Sequence, residues 1–401
     1  MKPINDSRRR FLRTGSELLG AGCASFALPG ALALPHSEDE RILVVLELSG
    51  GNDGLNTVIP YADDAYYRHR PTIGIRPEQM IRIDDHYGFN PGVVGFERLW
   101  KNGELAIVHG CGYDRPSFSH FTSMAYWHTA APNSGNDYGW FGRLADHMSP
   151  QPQPNFLINI DTTQSLAVRS AVHNPVVFDE PARFRRNKVY AERGLLDEVS
   201  NTDPVNPSQR YLNDVAVSAR DASSLVRRAW SDYRPSVDYG IADLQLPKVA
   251  ACIDAGLPTR LYYVAFRNNA FDTHVQQGPL HQRLLTYAAD ALHGFIRDLE
   301  RLGHADRVAV LAFSEFGRRV PENTSLGTDH GAANLMFMAG KGVQGGHYGT
   351  PSSLTELDEG DNLVYTTDFR SVYATAIDGW LGLGASEQVL NGNFDTFPVF
   401  A

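Results

Sequence analysis

One short segment restricts the possible folds more than any other part of the sequence. Residues 41–48 (RILVVLEL) are mostly β-branched residues and leucines, and they lead directly into the turn sequence SGGNDG at residues 49–54. A nearly continuous apolar run of this kind is typical of a strand that is buried on both faces. A glycine-rich turn directly after it lets the backbone come close to a ligand. The segment therefore predicts a buried strand with a candidate binding loop at its carboxyl end.

Further apolar runs follow along the chain, with helical patterns between several of them. The other predicted strands are residues 105–109, 155–160, 175–178, 261–266, 308–313 and 335–339. The clearest helical pattern covers residues 281–302, and another predicted helix covers residues 368–381. Strands that alternate with helices predict an α/β fold with a mostly parallel central sheet. Residues 180–245 show little strand pattern, and we interpret them as a helical insertion.

The N-terminus has the features of an export signal. Residues 7–13 (SRRRFLR) match a twin-arginine signal, a moderately apolar stretch follows, and residues 31–33 (ALA) offer a cleavage site. A basic amphipathic helix at the surface is the alternative interpretation. We therefore expect residues 1–36 to be a signal peptide with a short linker, recognised by the twin-arginine translocase. Residues 37–401 are then a single α/β hydrolase-like domain that is periplasmic or secreted.

Composition argues against two classes of protein. The chain has 46 acidic and 36 basic residues, a formal charge of −10, which disfavours nucleic-acid binding. Beyond the leader no apolar run reaches about 18 residues, so no transmembrane span is expected after signal removal. Cys111 and Cys252 could form one disulfide or remain two small buried side chains.

Metal-competent side chains follow several of the predicted strands. In open α/β sheets ligands bind beyond the carboxyl ends of the strands, so such side chains can converge on one divalent cation. Taken singly, each has an ordinary alternative in a tight turn, an Asx turn, a polar loop or an ion pair at a helix start. Their joint placement favours the metal site. The candidate ligands are Asp53, Asp272, His274, Glu315, Asp329 and His330. We interpret the remaining histidines without such context as ordinary surface or core residues, namely His86, His109, His128, His147 and His293.

Two serines offer a candidate nucleophile after the second predicted strand. Ser117 and Ser119 lie at the start of a predicted helix, where backbone amides and the helix dipole favour an anionic group. A hydroxyl there is suited to phosphoryl or sulfuryl transfer, with His120 orienting a ligand or acting as an acid. Ser119 could equally be a plain helix cap. Phe121 and Trp127 are expected in the core.

Six motifs then occur in a fixed order along the chain. They are residues 48–56 (LSGGNDGLN), 119–121 (SHF), 271–274 (FDTH), 314–318 (SEFGR), 328–331 (TDHG) and 368–373 (DFRSVY). This ordered set, which spans nearly all of the chain after the leader, resembles the twin-arginine-exported DUF1501 family. That family is similar to a distant branch of the alkaline phosphatase and sulfatase superfamily. The resemblance implies a three-layer α/β/α sandwich, alkaline-phosphatase-like, with a metal site at the strand ends.

The resemblance also implies roles for individual residues. Asp53 takes the place of the first metal aspartate, and Asp272 with His274 resembles an Asp and His pair that holds one metal, although the spacing is Asp-x-His instead of Asp-x-x-x-His. His330 resembles the late histidine ligand. Phe316 stands where phosphatases have a histidine, which implies an incomplete second metal pocket.

The leading functional hypothesis is an exported metal-dependent hydrolase of phosphate or sulfate esters. Ser119 or Ser117 would attack the ester, and Arg318 would contact the anionic group of a small-molecule or polymer substrate, since its planar fork suits such oxygens. The cofactor would be a divalent metal, Zn or Ca/Mg. One alternative is a catalytically silent relative that binds metal or an envelope polymer. Another is a metal enzyme that acts on a different bond.

Overall fold

A central sheet organises the part of the chain that the computed structural model describes, residues 41–183 and 206–400. The predicted signal peptide lies outside the described residues, as does part of the predicted insertion. The strands are β1 (Ile42–Leu48), β2 (Val58–Ile59), β3 (Ile81–Arg82), β4 (Gly88–Phe89), β5 (Leu105–Gly112), β6 (Leu157–Ile160), β7 (Val176–Phe178), β8 (Leu261–Phe266), β9 (Val308–Phe313), β10 (Gly317–Arg318), β11 (His330–Gly331), β12 (Asn334–Ala339), β13 (Gly346–Tyr348) and β14 (Thr367–Asp368). The α-helices are α1 (Asp64–His69), α2 (Val94–Lys101), α3 (His120–Thr129), α4 (Trp140–Met148), α5 (Pro207–Asp232), α6 (Leu246–Asp254), α7 (Gln277–Leu302), α8 (Phe369–Ala374) and α9 (Ser386–Leu390).

The central sheet has the strand order β13-β5-β12-β9-β1-β8-β6-β7, with β14 paired to β5. β1 pairs in parallel with both β8 and β9. Among the described strands of this sheet, β12 alone runs antiparallel to its neighbours, β5 and β9. The prediction of an α/β fold with a mostly parallel central sheet is confirmed.

Two hydrophobic cores lie on opposite faces of the sheet because side chains alternate along each strand. Val44 of β1 belongs to the core that includes residues of α2, α6 and α7. Its neighbour Val45 belongs to the core that includes residues of α3, α4 and α8. All seven residues of β1 are buried, which explains why every one of them except Glu47 is apolar. Helices on both faces give the three layers that the resemblance implied.

The helices follow the predicted patterns, with differences at their ends. α7 begins at Gln277, four residues before the predicted start, because its first turn (QGPL) carries few apolar side chains. The predicted helix at 368–381 consists of α8 and a π-helical continuation, Thr375–Trp380. In the described part of the predicted insertion, α5 begins at Pro207, and the Asn206 side chain accepts a hydrogen bond from the Gln209 amide at 2.8 Å.

Two other sequence features are visible in the described residues. Cys111 and Cys252 are buried free thiols. No described helix combines the length and the apolar character that crossing a membrane requires.

Candidate metal centre

The predicted motifs meet at one edge of the central sheet. β1, β8 and β9 are parallel neighbours, so their carboxyl ends lie at the same edge. β5 ends there as well, because β12 is antiparallel to both β5 and β9. The topology thus joins residues far apart in sequence: the Gly50 amide donates to the Glu315 carboxylate, 265 residues away. This edge is where α/β sheets bind ligands.

His120, Asp272 and His330 form a compact cluster at this edge. One potential ligand atom from each lies within 4.8 Å of the other two. The Nε2 atom of His330 is 3.0 Å from Asp272 Oδ1, and the Nε2 atom of His120 is 3.4 Å from Asp272 Oδ2. His274 joins the cluster, since its Nε2 atom lies 3.0 Å from both Asp272 Oδ1 and the Nε2 atom of His330. Among the sequence-predicted residues, Asp272, His274 and His330 are therefore brought together, with His120 beside them.

All three imidazoles point Nδ1 away from the cluster, toward an acceptor oxygen. The pairs are His120 with Glu315 (2.8 Å), His274 with Asp329 (3.2 Å) and His330 with the backbone carbonyl of Phe118 (2.8 Å). A carboxylate or a carbonyl can only accept, so a neutral ring that donates to this partner carries its proton on Nδ1. Each Nε2 atom then has a lone pair that is available to a cation, whereas without a cation the 3.0 Å contact of His330 Nε2 with Asp272 Oδ1 is a hydrogen bond that needs a proton on Nε2. Partners behind the ring that fix the tautomer in this way are typical of metal-bound histidines.

The centre holds more acceptors than donors. When all three rings carry their proton on Nδ1, three Nε2 lone pairs face the Asp272 carboxylate, and Arg318 donates to only one of its oxygens. This arrangement is repulsive unless a cation or a proton lies between the groups. His120 Nε2 is buried and has no hydrogen-bond partner among the described residues. Imidazole nitrogen and carboxylate oxygen are the ligands that Zn²⁺ uses at its protein sites. The residues present thus fit a divalent cation.

The pKa shifts at the centre follow from these contacts. Burial raises the pKa of Asp272, but hydrogen bonds from His330 and Arg318 outweigh it and lower the value to about 2. Burial lowers the pKa of His330. The hydrogen bond to Glu315 raises the pKa of His120 in the metal-free protein. A cation at this centre therefore competes with a proton for His120.

The Glu315 carboxylate is held by the glycine-rich loop after β1. It is fully buried, and it accepts hydrogen bonds from the amides of Gly50 (2.9 and 3.0 Å) and Gly51 (3.1 Å). Both glycines have positive φ, at +117° and +78°. A Cβ atom on Gly51 would lie 2.3 Å from the ring of Phe316. The centroid of that ring is 5.0 Å from the centroid of the His120 ring and 4.5 Å from that of the His330 ring. Only glycine allows this close approach.

Arg318 ties the loops around the cluster together. It is buried, and its guanidinium donates to the backbone carbonyls of Gly50, Gly51 (2.6 Å), Phe271 (2.9 Å) and Thr328 (3.0 Å). It also donates to Asp272 Oδ1 at 2.9 Å. The side chain predicted to contact an anionic substrate thus has its nitrogens engaged by protein oxygens, and it orients Asp272.

Asp53 lies in a separate buried ion pair. Its Oδ2 atom is 2.7 Å from Arg70 and 2.5 Å from Gln277 Nε2, while its Oδ1 atom is buried with no hydrogen-bond partner in the described chain. Burial raises the pKa of Asp53, and the Arg70 charge together with other contacts lowers it below the usual value. His120, Asp272 and His330 form their cluster without it.

The two candidate nucleophiles lie at the start of α3. Ser117 Oγ accepts from the Ser119 amide at 3.3 Å. Ser119 is exposed at the N-cap of α3, and its hydroxyl makes no capping hydrogen bond. Within the described ranges, neither hydroxyl is hydrogen-bonded to the cluster of His120, Asp272, His274 and His330. The expectation that Phe121 lies in the core is wrong, since its side chain is 92% exposed, whereas Trp127 is buried as expected.

Three contacts that hold residues of the centre in place were not predicted from the sequence. Ser123 is buried one helical turn after Ser119, and its hydroxyl bonds the Glu315 carbonyl (2.5 Å) and the Tyr113 hydroxyl (3.0 Å). Asn323 donates to Asp329 Oδ1 at 3.1 Å, and the Phe118 carbonyl holds His330. Ser119 and Ser123 are four residues apart, a spacing that places them on the same side of a helix, so the sequence did contain a signal for Ser123. A loop asparagine and a backbone carbonyl carry no comparable signal in the sequence.

Residues 258–378 match DUF1501, a family described as proteins of unknown function. The resemblance to DUF1501 is thereby confirmed over this stretch, which includes Asp272, His274, Glu315, Asp329 and His330. No curated protein matches the chain in sequence.

Several solved structures are similar to this chain at low identity. A sulfatase from Pseudoalteromonas sp. is 12% identical with a TM-score of 0.40, and the match covers 90% of this chain and 72% of the sulfatase. The lipoteichoic acid synthase LtaP from Listeria monocytogenes is 9% identical with a TM-score of 0.36, covering 78% and 66%. The zinc complex of the C-terminal periplasmic domain of EcEptC from Escherichia coli is 10% identical with a TM-score of 0.34, covering 75% and 73%.

Proposed function

We propose that this chain is an exported, metal-dependent hydrolase of phosphate or sulfate esters. The observation that carries the proposal is the convergence of three imidazole Nε2 atoms on the Asp272 carboxylate. Glu315 and Asp329 act behind the ligands by fixing imidazole tautomers. Three nitrogens and one carboxylate favour zinc over calcium or magnesium, which prefer oxygen ligands. The proposed ligands are His120, Asp272, His274 and His330.

Ser119 is the proposed nucleophile. It directly precedes His120, and it follows Phe118, whose carbonyl holds His330, so both neighbours fix its position relative to the cluster. The free amides at the start of the ten-residue helix α3 favour the anionic group of an ester. A bound divalent ion would supply Lewis-acid polarisation of that group. Arg318 orients Asp272 in this proposal.

The reaction has two displacement steps. In the first, the Ser119 oxygen bonds to the phosphorus or sulfur atom, the bond to the ester oxygen breaks, and the alcohol leaves. The serine proton passes to solvent, and the departing alkoxide takes up a proton. In the second, water displaces the serine oxygen, releasing phosphate or sulfate and restoring the hydroxyl.

The test combines metal content with hydrolysis of aryl phosphate and aryl sulfate esters. Wild-type protein is expected to hold one divalent ion per chain, and His330→Ala is expected to lose it. His147→Ala is the matched control, since His147 is an exposed histidine on α4. Ser119→Ala should keep the ion and lose turnover, whereas Ser117→Ala should keep both. A metal-free wild type, or full activity in Ser119→Ala, would contradict the proposal.

A catalytically silent, polymer-binding relative is the second candidate. The exposure of Phe118 (40%) and Phe121 (92%) beside the centre favours it, because exposed rings can stack on sugars. This candidate predicts that metal binds, that no ester is cleaved, and that Phe121→Ser weakens retention on envelope polysaccharide while Ser119→Ala does not.

Export by the twin-arginine translocase completes the proposal. Residues 7–13 support it with their consecutive arginines before Phe11-Leu12. Replacing Arg8 and Arg9 by lysine is expected to trap the chain in the cytoplasm, as fractionation would show. Export of that variant at the wild-type level would count against this route.

A further inference from the structure

A second group of histidines lies at β5 and β13, and the metal proposal does not use it. His347 Nε2 is 2.9 Å from Asp84 Oδ2, and His347 Nδ1 is 2.7 Å from His109 Nε2. The Tyr87 ring packs against both imidazoles, with centroids 5.1 Å from His109 and 4.9 Å from His347. The three side chains form a continuous hydrogen-bonded row from Asp84 at the surface to His109, which is only 4% exposed.

The charge at Asp84 fixes the direction of every hydrogen bond in this row. Burial lowers the pKa of His109 to about 3 and also lowers the pKa of His347, so both rings are neutral at pH 7. Asp84 can only accept, so His347 carries its proton on Nε2 and accepts at Nδ1. His109 must then donate from Nε2. Its Nδ1 atom is left with a lone pair, and within the described part of the chain it has no hydrogen-bond partner.

His109 lines a cavity of about 660 Å³. Apolar side chains form much of the wall, including Leu55, Val58, Leu335 and Leu354. Two exposed carboxylates, Asp63 and Asp64, also line it and disfavour anions. Arg318 lines the cavity too, but protein carbonyls and Asp272 already occupy its guanidinium.

We propose that this cavity binds an uncharged molecule with an apolar body and one hydroxyl group, an alcohol or a phenol, whose O–H donates to Nδ1 of His109. The hydroxyl supplies the donor that no described protein group offers to this nitrogen, and the apolar walls take the body of the molecule. This binding site is independent of the proposed hydrolysis, and its test needs no turnover.

Asp84→Asn is expected to reverse the direction of each hydrogen bond from residue 84 to His109 without disturbing the core. Asp84 Oδ1 accepts from the amides of His86 (2.7 Å) and Tyr87 (2.6 Å), so an asparagine must keep its carbonyl oxygen there. Its NH₂ group then faces His347 Nε2 and donates to it. Both imidazoles change tautomer, and His109 Nδ1 becomes a donor. The side chain is 35% exposed, so the substitution is tolerated by the fold.

The probes are phenol, toluene and acetophenone, titrated into full-length protein with ¹⁵N-histidine spectra recorded throughout. In wild type, phenol is expected to shift the His109 Nδ1 resonance. Asp84→Asn should weaken phenol binding about tenfold, leave toluene unchanged, and strengthen binding of acetophenone, which only accepts. Leu354→Phe, which fills the cavity, should weaken all three alike. Unchanged tautomers in Asp84→Asn, or phenol affinity that this variant leaves equal to wild type, would overturn the proposal.

Discussion

Replacing Glu315 by glutamine tests how the protein prepares His120 to bind a cation. One carboxylate oxygen of Glu315 accepts from His120 Nδ1 and from the Gly50 amide, and the other accepts from both glycine amides at 3.0 and 3.1 Å. A glutamine NH₂ at the second position would face two N–H donors. It will therefore face His120, which must then carry its proton on Nε2 and lose its ligand lone pair.

The expected effect on zinc affinity is large. Loss of an outer partner of this kind weakens metal binding about 10- to 100-fold, or about 1.4–2.7 kcal/mol. Competition against a chelator at pH 7 measures the dissociation constant, and urea unfolding of the metal-free protein checks that the fold is intact.

Asp329→Asn is the matched control. Asp329 Oδ1 accepts from both His274 and Asn323, and the side chain is 48% exposed, so an asparagine can keep its oxygen inward and turn its NH₂ to solvent. Its zinc affinity should stay within about threefold of wild type. Wild-type zinc affinity in Glu315→Gln, or equal losses in both variants, would refute the tautomer argument.

Three further predictions concern pH and stability. Zinc affinity should fall as the pH is lowered, because a proton competes for His120, whose pKa is raised by its hydrogen bond to Glu315. Chelator competition measured across pH 5–8 would show a flat profile if this were wrong. Gly51→Ala should lower the free energy of unfolding in urea by about 2–5 kcal/mol, because a Cβ atom there strains the backbone and clashes with the Phe316 ring. The control Gly303→Ala, at φ +80° with open space around it, should lower it by only about 1–2 kcal/mol. Equal losses in the two variants would contradict the clash. Arg70→Met should lower the free energy of unfolding by about 3–5 kcal/mol at pH 7, because it leaves the Asp53 carboxylate charged and buried without its partner. A loss below about 1 kcal/mol would contradict this interpretation.

The strands were predictable because burial on both faces leaves a continuous apolar run. The bounds predicted for β8 and β9 agree with the structure at every residue. The antiparallel direction of β12 was not predictable, because its apolar run has the same character as those of its parallel neighbours. Chain connections, which the run itself does not encode, decide its direction.

The sequence allowed several residues of the candidate site to be predicted, but it did not allow most of their contacts to be predicted. Asp272, His274 and His330 meet because the strand ends meet. The sequence gives no sign that Asp53 pairs with Arg70, since an arginine 17 residues away in a separate helix region marks no contact. The interpretation of His109 as ordinary likewise missed a partner, His347, that lies 238 residues further along the chain.

Anomalous diffraction from zinc-soaked crystals, recorded on both sides of the zinc absorption edge, tests the central claim most directly. We predict one strong peak about 2.0–2.2 Å from the Nε2 atoms of His120, His274 and His330 and from the Asp272 carboxylate. No peak at this position, or a peak coordinated by other residues, would contradict it.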